Sequence, residues 1–355
     1  MLASLRRPVR QLPLVPAEIL KAYDVHEKFD TRFRACARLL QALWREAQEL
    51  PCGQKRSSKG RGRKLGSRLH AQAAAQGRNF LSPAIAQLAD LEVAYQERGA
   101  LIDRDRLATN LLSSMPLAFN LAGPWRFDPD LALKVLRSLF PEIAMTQVLH
   151  VWFEHSPSRL DPTLTGDRSA LDIAVVFQRD DGKRGLIGIE VKYSEDSHDS
   201  SNHELREPFD DLASASNLFE EPAHAALRVS PLQQLFREHL LCYAAVRQEL
   251  YAEAHFVLVA PRHNHRIERL HSLYSAFLAN PTEGTVPFRF VELESIVAAF
   301  AAAGDEEYAT LLYERYCDWS RLDQVIEGTI TDSDRSWAVK PTAKRPALAL
   351  IASAA

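Results

Sequence analysis

The chain has 355 residues, of which 25% are charged and 46% are hydrophobic, and its formal net charge at pH 7 is −3. This composition is that of a soluble globular protein, and a chain of this length can form about two domains. The slightly negative net charge excludes a uniformly basic protein that coats nucleic acid or a membrane, so any nucleic-acid surface must be a local patch.

The cysteines and the hydropathy pattern indicate a reducing, aqueous compartment. Cys36, Cys52, Cys242 and Cys317 are scattered without a CxxC pair, which indicates free thiols and not a disulfide framework. No segment approaches the roughly 18 apolar residues of a membrane span, and the N-terminus lacks the apolar run of a secretory signal. We therefore expect a cytoplasmic protein.

The first 104 residues are predicted to form a helical region with one basic loop. Apolar residues at helical spacing predict one long helix within 16–50 and another within 82–98. Residues 51–68 are rich in Gly, Ser and cations and bury too little to order alone, so we expect a loop. It is either a solvated loop or a basic arm that neutralises phosphates. Its cations are Lys55, Arg56, Lys59, Arg61, Arg63, Lys64 and Arg68.

Beyond residue 104 the sequence alternates between helix and strand patterns. Helices are predicted to begin near Asp103 and Asp128, the first of them broken by Pro116 and ended at Gly123. Short runs of β-branched and aromatic residues then predict strands at 147–154, 171–177, 186–193, 255–260 and 289–291.

This order of elements predicts a mixed α/β fold with a central sheet of about four strands flanked by helices. A helix capped by Ser230 is predicted between the third and fourth strands, because Pro231 and Gln233 complete the capping signature. We expect four parts: the helical region 1–104, a core at 105–265, a helical extension at 266–330 packed on the core, and a disordered tail at 331–355.

Three ionisable residues interrupt the apolar runs of the second and third predicted strands: Asp172, Glu190 and Lys192. A charge in a buried strand is costly unless it is paired or holds a metal. Glu190 and Lys192 are two residues apart and therefore share a face of their strand. A plain two-residue turn would pair Asp172 with Val191 and turn its side chain away from them. A shared site therefore predicts a three- or five-residue loop, or a bulge, with Gly182 at positive φ.

Two carboxylates and a lysine on one face suit metal-assisted hydrolysis of a phosphodiester. Asp172 and Glu190 would ligate Mg²⁺, the carbonyl of Val191 would add a neutral oxygen, and Lys192 would orient or deprotonate the attacking water. The alternative is a set of edge charges joined by one salt bridge. The chain contains no GxxxxGK[ST] phosphate loop, and no GxSxG or GxGxxG motif follows a strand.

This succession of strand, Gly-containing hairpin, strand, polar loop and capped helix resembles the PD-(D/E)xK nuclease superfamily. The segments GDRSALD (166–172) and GIEVKYSE (188–195) are similar to its second and third core strands. The span 65–260 also resembles, more narrowly, a bacterial branch with a restriction-endonuclease-type domain. That closer resemblance rests on NLLSSMPLAFN (110–120), FEHSP (153–157) and QLFREHLL (234–241).

The resemblance implies hydrolysis of nucleic acid, most often DNA, with Mg²⁺ as cofactor and Mn²⁺ as a possible substitute. It implies that Asp172 and Glu190 are metal ligands and that Lys192 positions the water. The superfamily often has a further Glu on its first core helix, but no Glu lies between residues 105 and 123. Glu154, at the end of the first predicted strand, is the candidate substitute, and the alternative is a surface Glu at a strand end.

The helix after the third strand offers two further candidates, because this helix often lends a polar residue to the site or to a phosphate in the superfamily. Gln234 and Arg237 lie three residues apart beside its apolar stripe. His239 lies within the stripe, where it is either a hydrogen-bonded core histidine or a functional residue.

Three functions remain open. The first is a metal-dependent DNA nuclease, and the second is an inactive nucleic-acid-binding or protein-interaction module of the same fold. The third, an RNA nuclease, would use the same residues. Cutting both strands of a duplex at once with one site per chain would require a homodimer.

Overall fold

The computed structural model describes residues 11–56, 62–157, 159–195, 208–280 and 285–335, which form seven strands and 13 α-helices. The strands are β1 (Cys52–Arg56), β2 (Gly62–Leu69), β3 (Met145–His155), β4 (Leu171–Arg179), β5 (Arg184–Val191), β6 (Glu253–Ala260) and β7 (Phe288–Glu292). The helices are α1 (Ala17–Ala22), α2 (Arg32–Ala47), α3 (Ala71–Ala75), α4 (Pro83–Ala94), α5 (Arg104–Thr109), α6 (Ser114–Phe127), α7 (Pro129–Leu139), α8 (Pro208–Ser216), α9 (Gln233–Arg247), α10 (His265–Ser275), α11 (Leu293–Ala302), α12 (Glu306–Tyr316) and α13 (Ser320–Arg335).

A five-stranded mixed sheet in the order β3-β4-β5-β6-β7 forms the centre of the fold. β3, β4 and β5 are antiparallel neighbours, whereas β6 and β7 run parallel to β5. The predicted mixed α/β class is confirmed. The sheet has five strands because the short strand predicted at 289–291 joins it as β7.

Helices cover both faces of the sheet, because alternate residues of the central strands pack into two different apolar clusters. On β4, Ile173 and Val175 pack on one face with α6, α7 and α11. Ala174 and Val176 pack on the other face with α8, α9 and α10. Burial on both faces explains why the central strands have nearly continuous apolar sequences.

The predicted helix within 16–50 is wrong, since the structure has two helices there. The chain turns between α1 and α2, where Asp24 has a φ of +55° and the amide of Val25 donates to the carbonyl of Leu20 at 2.8 Å. The turn lets both helices bury apolar side chains in one cluster, which also receives Leu322 and Val325 from α13.

The loop predicted for 51–68 is also wrong, because its described residues form the antiparallel hairpin β1–β2. Tertiary contacts supply the order that the composition lacks, since Leu65 and Leu69 are buried. Arg45 donates from Nε to the carbonyl of Gly66 at 2.9 Å, and the amide of Gly66 donates to the carbonyl of Asp24 at 2.9 Å. Lys59 and Arg61 lie outside the described residues.

Proline positions account for the differences around α6. Pro116 lies in the first turn of α6, where its missing N–H is not needed, so it starts this helix and does not break one. Pro124 lies inside the helix and cannot donate to the carbonyl of Asn120. The hydroxyl of Tyr308 donates to that carbonyl at 2.6 Å, so α6 continues through the predicted stop.

Two boundaries near the C-terminal half also differ from the predictions. The helix predicted to be capped by Ser230 begins at Gln233, because the amides of Leu232 and Gln233 both donate to the carbonyl of Val229 in a preceding turn. Residues 331–335 complete α13, and the rest of the predicted disordered tail lies outside the described residues. None of the described helices is long and apolar enough to cross a membrane.

Candidate active site

The β4–β5 hairpin has the register that a shared site requires. Its ladder pairs Ile173 with Ile189, so the next pair along the strands is Asp172 and Glu190. The hairpin closes where Arg179 donates to the carbonyl of Lys183 at 2.8 Å, which leaves a three-residue loop. The last loop residue is Gly182, with a φ of +80°. The register and the positive φ predicted from the sequence are confirmed.

A hydrogen-bonded network joins β5 to α9 beside this pair. The Lys192 ammonium lies 2.7 Å from Oε1 of Glu190 and donates to Oε1 of Gln234 at 2.8 Å. Gln234 donates from Nε2 to Glu190 at 2.8 Å and to Oε1 of Glu238 at 2.9 Å. Because its amide nitrogen faces two carboxylates, the amide oxygen of Gln234 is directed at Lys192.

Asp172 is held by the backbone of the neighbouring strand. Its Oδ2 accepts a hydrogen bond from the amide of Val191 at 2.9 Å. This bond fixes one carboxylate oxygen at the end of the hairpin where Glu190 and Lys192 lie. The amide of Val191 therefore positions Asp172, and the carbonyl of the same residue is the predicted neutral ligand.

The site contains more negative than positive charge. Burial, followed by the charges of Glu190 and Glu154, raises the pKa of Asp172 well above its usual value. Burial, followed by Glu190, likewise raises the pKa of Glu238. Burial lowers the pKa of Lys192, but Glu190 and Glu238 outweigh it and hold that pKa above its usual value. A single ammonium thus faces several buried carboxylates.

The donor atoms and the charge fit a hard divalent cation. All the side-chain groups facing Lys192 offer oxygen, which Mg²⁺ prefers. Oε2 of Glu238 is buried and has no hydrogen-bond partner within the described part of the chain. Among those residues, no three His, Cys, Asp or Glu side chains are grouped closely enough to hold a metal by themselves. The predicted ligands Asp172, Glu190 and the carbonyl of Val191 all offer oxygen, and their role as metal ligands stays a prediction.

Glu154 lies close enough to the pair to act on it electrically. It is the penultimate residue of β3, with a φ of +46°, and its carboxylate contributes to the raised pKa of Asp172. Burial raises the pKa of Glu154 itself, opposed by Arg159, whose guanidinium lies 3.9 Å from Oε1. This location is compatible with the role of substitute acid, which stays a prediction.

Two functional candidates escaped the sequence interpretation. Glu238 is a buried acid one turn after Gln234 on α9, and the sequence interpretation did not single it out. Glu195 accepts hydrogen bonds from the amides of Ser114 and Tyr193 and from Arg106 at 2.7 to 2.9 Å. Although burial raises the pKa of Glu195, Arg106 and the Ser114 amide hold it below its usual value. Glu195 thus ties the segment after Lys192 to the start of α6.

His239 is a core histidine. Its ring nitrogens lie 3.0 Å from the hydroxyl of Tyr274 and 2.7 Å from the carbonyl of Val286. Burial lowers the pKa of His239 to about 4, so the ring is neutral at pH 7. Of the two alternatives left open by the sequence, the structure supports the core role.

The charged cluster opens into a cleft of about 1010 Å³. The residues of the network and the neighbouring acids line this cleft: Asp172, Glu190, Lys192, Gln234, Glu238 and Glu154. Cations from the N-terminal region and from the core also line it: Arg34, Arg38, Lys55, Arg68, Arg106, Arg168 and Arg237. The N-terminal helices and hairpin therefore contribute positive charge to the same cleft as the carboxylates.

The predicted phosphate-binding cations are divided between the cleft and the outer surface. Lys55, Arg68 and Arg237 line the cleft, with Arg68 paired to Asp105. Arg237 donates to Asp167 from two nitrogens at 2.6 and 2.9 Å. Two of the predicted cations lie elsewhere on the hairpin: Arg63, which pairs with Glu27, and Lys64, which is exposed. Arg56 ends β1.

The chain belongs to the PD-(D/E)XK nuclease superfamily. A family model with that description matches residues 28–318, which include the whole five-stranded sheet and α2 to α12. The resemblance drawn from the hairpin motif is therefore confirmed. The comparison with curated proteins gave no match, and neither did the comparison with solved structures.

Proposed function

We propose that the protein hydrolyses phosphodiester bonds of DNA with Mg²⁺ as cofactor, and that Mn²⁺ can substitute. Membership of the superfamily supports nuclease activity in general. The observation that carries the specific proposal is the register that sets Asp172 opposite Glu190, with Lys192 bonded to Glu190 in a cleft lined by cations.

In this proposal, the carboxylates of Asp172 and Glu190 and the carbonyl of Val191 hold the cation. Bound Mg²⁺ would supply a water of lowered pKa and charge stabilisation for the phosphoryl group. Lys192 positions the attacking water and offsets negative charge on the phosphate. Gln234 holds Lys192 and Glu190 in their relative positions, because its amide binds both at 2.8 Å.

The substrate backbone lies along the cationic side of the cleft. Lys55 and Arg68 reach it from the N-terminal hairpin, and Arg237 reaches it from α9. Their contacts with phosphates would be independent of sequence and sensitive to salt. Glu154 lies on β3, which pairs with the strand that carries Asp172. It would change the electrostatic environment of Asp172 or serve as the additional acid of the site.

A binding module without catalysis is the rival, and an RNA nuclease is a variant of the same proposal. Calorimetric titration with Mn²⁺ distinguishes the rival: we expect binding by the parent protein and its loss in Glu190→Gln. Glu294→Gln is the matched control, because Glu294 is also buried but accepts from Arg262 outside the cleft. Absence of Mn²⁺ binding by the folded parent would favour the non-catalytic module.

A panel of substrates then assigns the polymer. Linear, circular and single-stranded DNA and an RNA of the same sequence are incubated with the protein and Mg²⁺, with Lys192→Ala in parallel. We expect DNA to be cut by the parent and not by the variant. Cleavage restricted to RNA would replace DNA as the substrate and leave the residue roles intact.

A further inference from the structure

Two leucines with exposed side chains lie in the charged cleft. Leu101 is 59% exposed and Leu160 is 46% exposed, and both line the cleft with Asp172 and Glu190. Burying a leucine side chain stabilises the folded state, so these partly exposed leucines stabilise the protein less than buried ones would. Because they line a charged cleft, their exposed side chains are available to an apolar part of a ligand bound there.

Both leucines belong to segments that lie near Glu154. The backbone of Leu101 opposes the effect of burial on the pKa of the Glu154 carboxyl group. Arg159, which precedes Leu160, donates to the carbonyl of Glu154. Both leucine side chains line the same cleft as Glu154 and the carboxylate pair.

The backbone at Leu160 is in a conformation that disfavours leucine. Its φ is +63°, in the left-handed region, and its amide is held by the carbonyl of Asp167 at 2.8 Å. The neighbouring Arg159 side chain is almost completely buried, and its guanidinium pairs with the Glu97 carboxylate at 3.1 Å. The surrounding contacts therefore impose a conformation that glycine would adopt more readily, and they present an exposed apolar side chain.

We propose that Leu101 and Leu160 contact unpaired bases of the substrate next to the phosphate that is cut. The proposal rests on the proposed nuclease function and specifies its substrate as nucleic acid with accessible bases, such as a single strand or a frayed end. The cationic side chains of the cleft take the phosphates while the leucines take the apolar base faces, a role that aromatic side chains have in many single-strand-binding proteins. In continuous duplex the base faces are stacked on each other and unavailable.

Fluorescence anisotropy at low salt in EDTA, which prevents cleavage, tests this contact. The full chain is titrated into a fluorescent single strand, its abasic counterpart of equal charge, and the corresponding duplex. We expect the base-bearing strand to bind about tenfold more tightly than the other two, because its bases would cover the half-exposed leucine side chains. The double variant Leu101→Ser/Leu160→Ser should bind all three alike. Leu273→Ser, at a leucine that is 48% exposed on α10 outside the cleft, should keep the preference.

A second variant separates a binding role from a structural one. Leu160→Gly relieves the positive φ, so we expect a higher unfolding temperature together with a weaker base preference. Equal affinity of the parent for base-bearing and abasic strands would overturn the proposal, as would a preference that survives the double variant. If the parent cuts DNA in Mg²⁺ without any base preference, only this inference fails. If it neither binds nor cuts nucleic acid, the proposed function fails with it.

Discussion

Replacing Asp172 by Asn should make the protein more stable while removing its activity. In the folded chain, burial and the charges of Glu190 and Glu154 raise the pKa of Asp172, so its carboxylate opposes folding near neutral pH. Asn keeps an oxygen that can accept the 2.9 Å hydrogen bond from the Val191 amide, and it carries no charge. We expect a gain of about 0.5–2 kcal/mol in the free energy of unfolding, which is typical when a strained functional residue is relieved.

The pH dependence follows from the direction of that pKa change. A carboxyl group whose pKa is raised in the folded state contributes stability below its unfolded pKa, and that contribution is lost as the pH rises through the folded value. The advantage of Asp172→Asn should therefore be largest near neutral pH and should vanish toward the usual Asp pKa of 3.8. Thermal or urea unfolding of both proteins across this range, without divalent cations, measures it.

Asp167→Asn is the matched control, with the opposite sign. Arg237 and the amide of Ser169 outweigh burial and hold the pKa of Asp167 below its usual value. The variant loses charge-assisted bonds from Arg237, so it should be less stable by about 1–3 kcal/mol. If Asp172→Asn were destabilising to the same extent, or showed no dependence on pH, the crowding of carboxylates inferred for the site would be refuted.

Added cation should reverse the order of stability. Mg²⁺ at about a hundredfold excess over its dissociation constant would stabilise the parent by about 2.7 kcal/mol. Asp172→Asn would gain little, because one of the two proposed ligand side chains is changed. Unfolding curves with and without Mg²⁺ measure this difference independently of cleavage.

Three further outcomes follow from the geometry. Lys192→Ala should lower Mg²⁺-dependent cleavage by about 10²–10⁴-fold, measured as initial rates, because no other described ammonium bonds to the carboxylate pair. Lys55→Ala should lower the slope of log affinity for nucleic acid against log salt concentration by about one. Arg63→Ala is the control and should leave that slope unchanged. Both side chains are about half exposed, but only Lys55 lines the cleft. Tyr308→Phe should cost about 1 kcal/mol in urea unfolding without changing cleavage per folded molecule, because it leaves the carbonyl of Asn120 without that donor.

The hairpin was predictable from sequence because its information is local. Gly182 marks the turn, and the requirement that Asp172 share a face with Glu190 and Lys192 predicts a loop other than a plain two-residue turn, as the three-residue loop confirms. The class of fold was predictable for the same reason, since strand and helix periods are short-range signals. Superfamily resemblance added the implied roles but did not supply the register.

The N-terminal hairpin was not predictable, because its order depends on distant contacts. The polar composition of 51–68 is that of a loop, and only the packing of Leu65 and Leu69 and the bonds from Arg45 make it a hairpin. The arginines that α2 contributes to the cleft depend in the same way on how that helix packs, which sequence periodicity does not specify.

Glu238 on α9 shows a different limit of prediction from the sequence. Glu238 is one helical turn from Gln234, whose amide bonds to both Glu238 and Glu190, so its place in the site depends on how α9 packs against β5. Its neighbours Arg237 and His239 are polar, so the sequence does not distinguish a buried Glu from a solvated one at this point. Tertiary packing decides it, and Glu238 is buried.

The most direct test of the central claim is the rate of DNA cleavage by the parent and by Glu190→Gln, each assayed in Mg²⁺ and in EDTA. Glu190→Gln keeps the size of the side chain and removes the charge that faces Lys192 and the proposed cation. We predict that only the parent in Mg²⁺ cuts DNA. Cleavage by Glu190→Gln at the parental rate, or equal cleavage in EDTA, would contradict a metal-dependent centre built on Asp172 and Glu190.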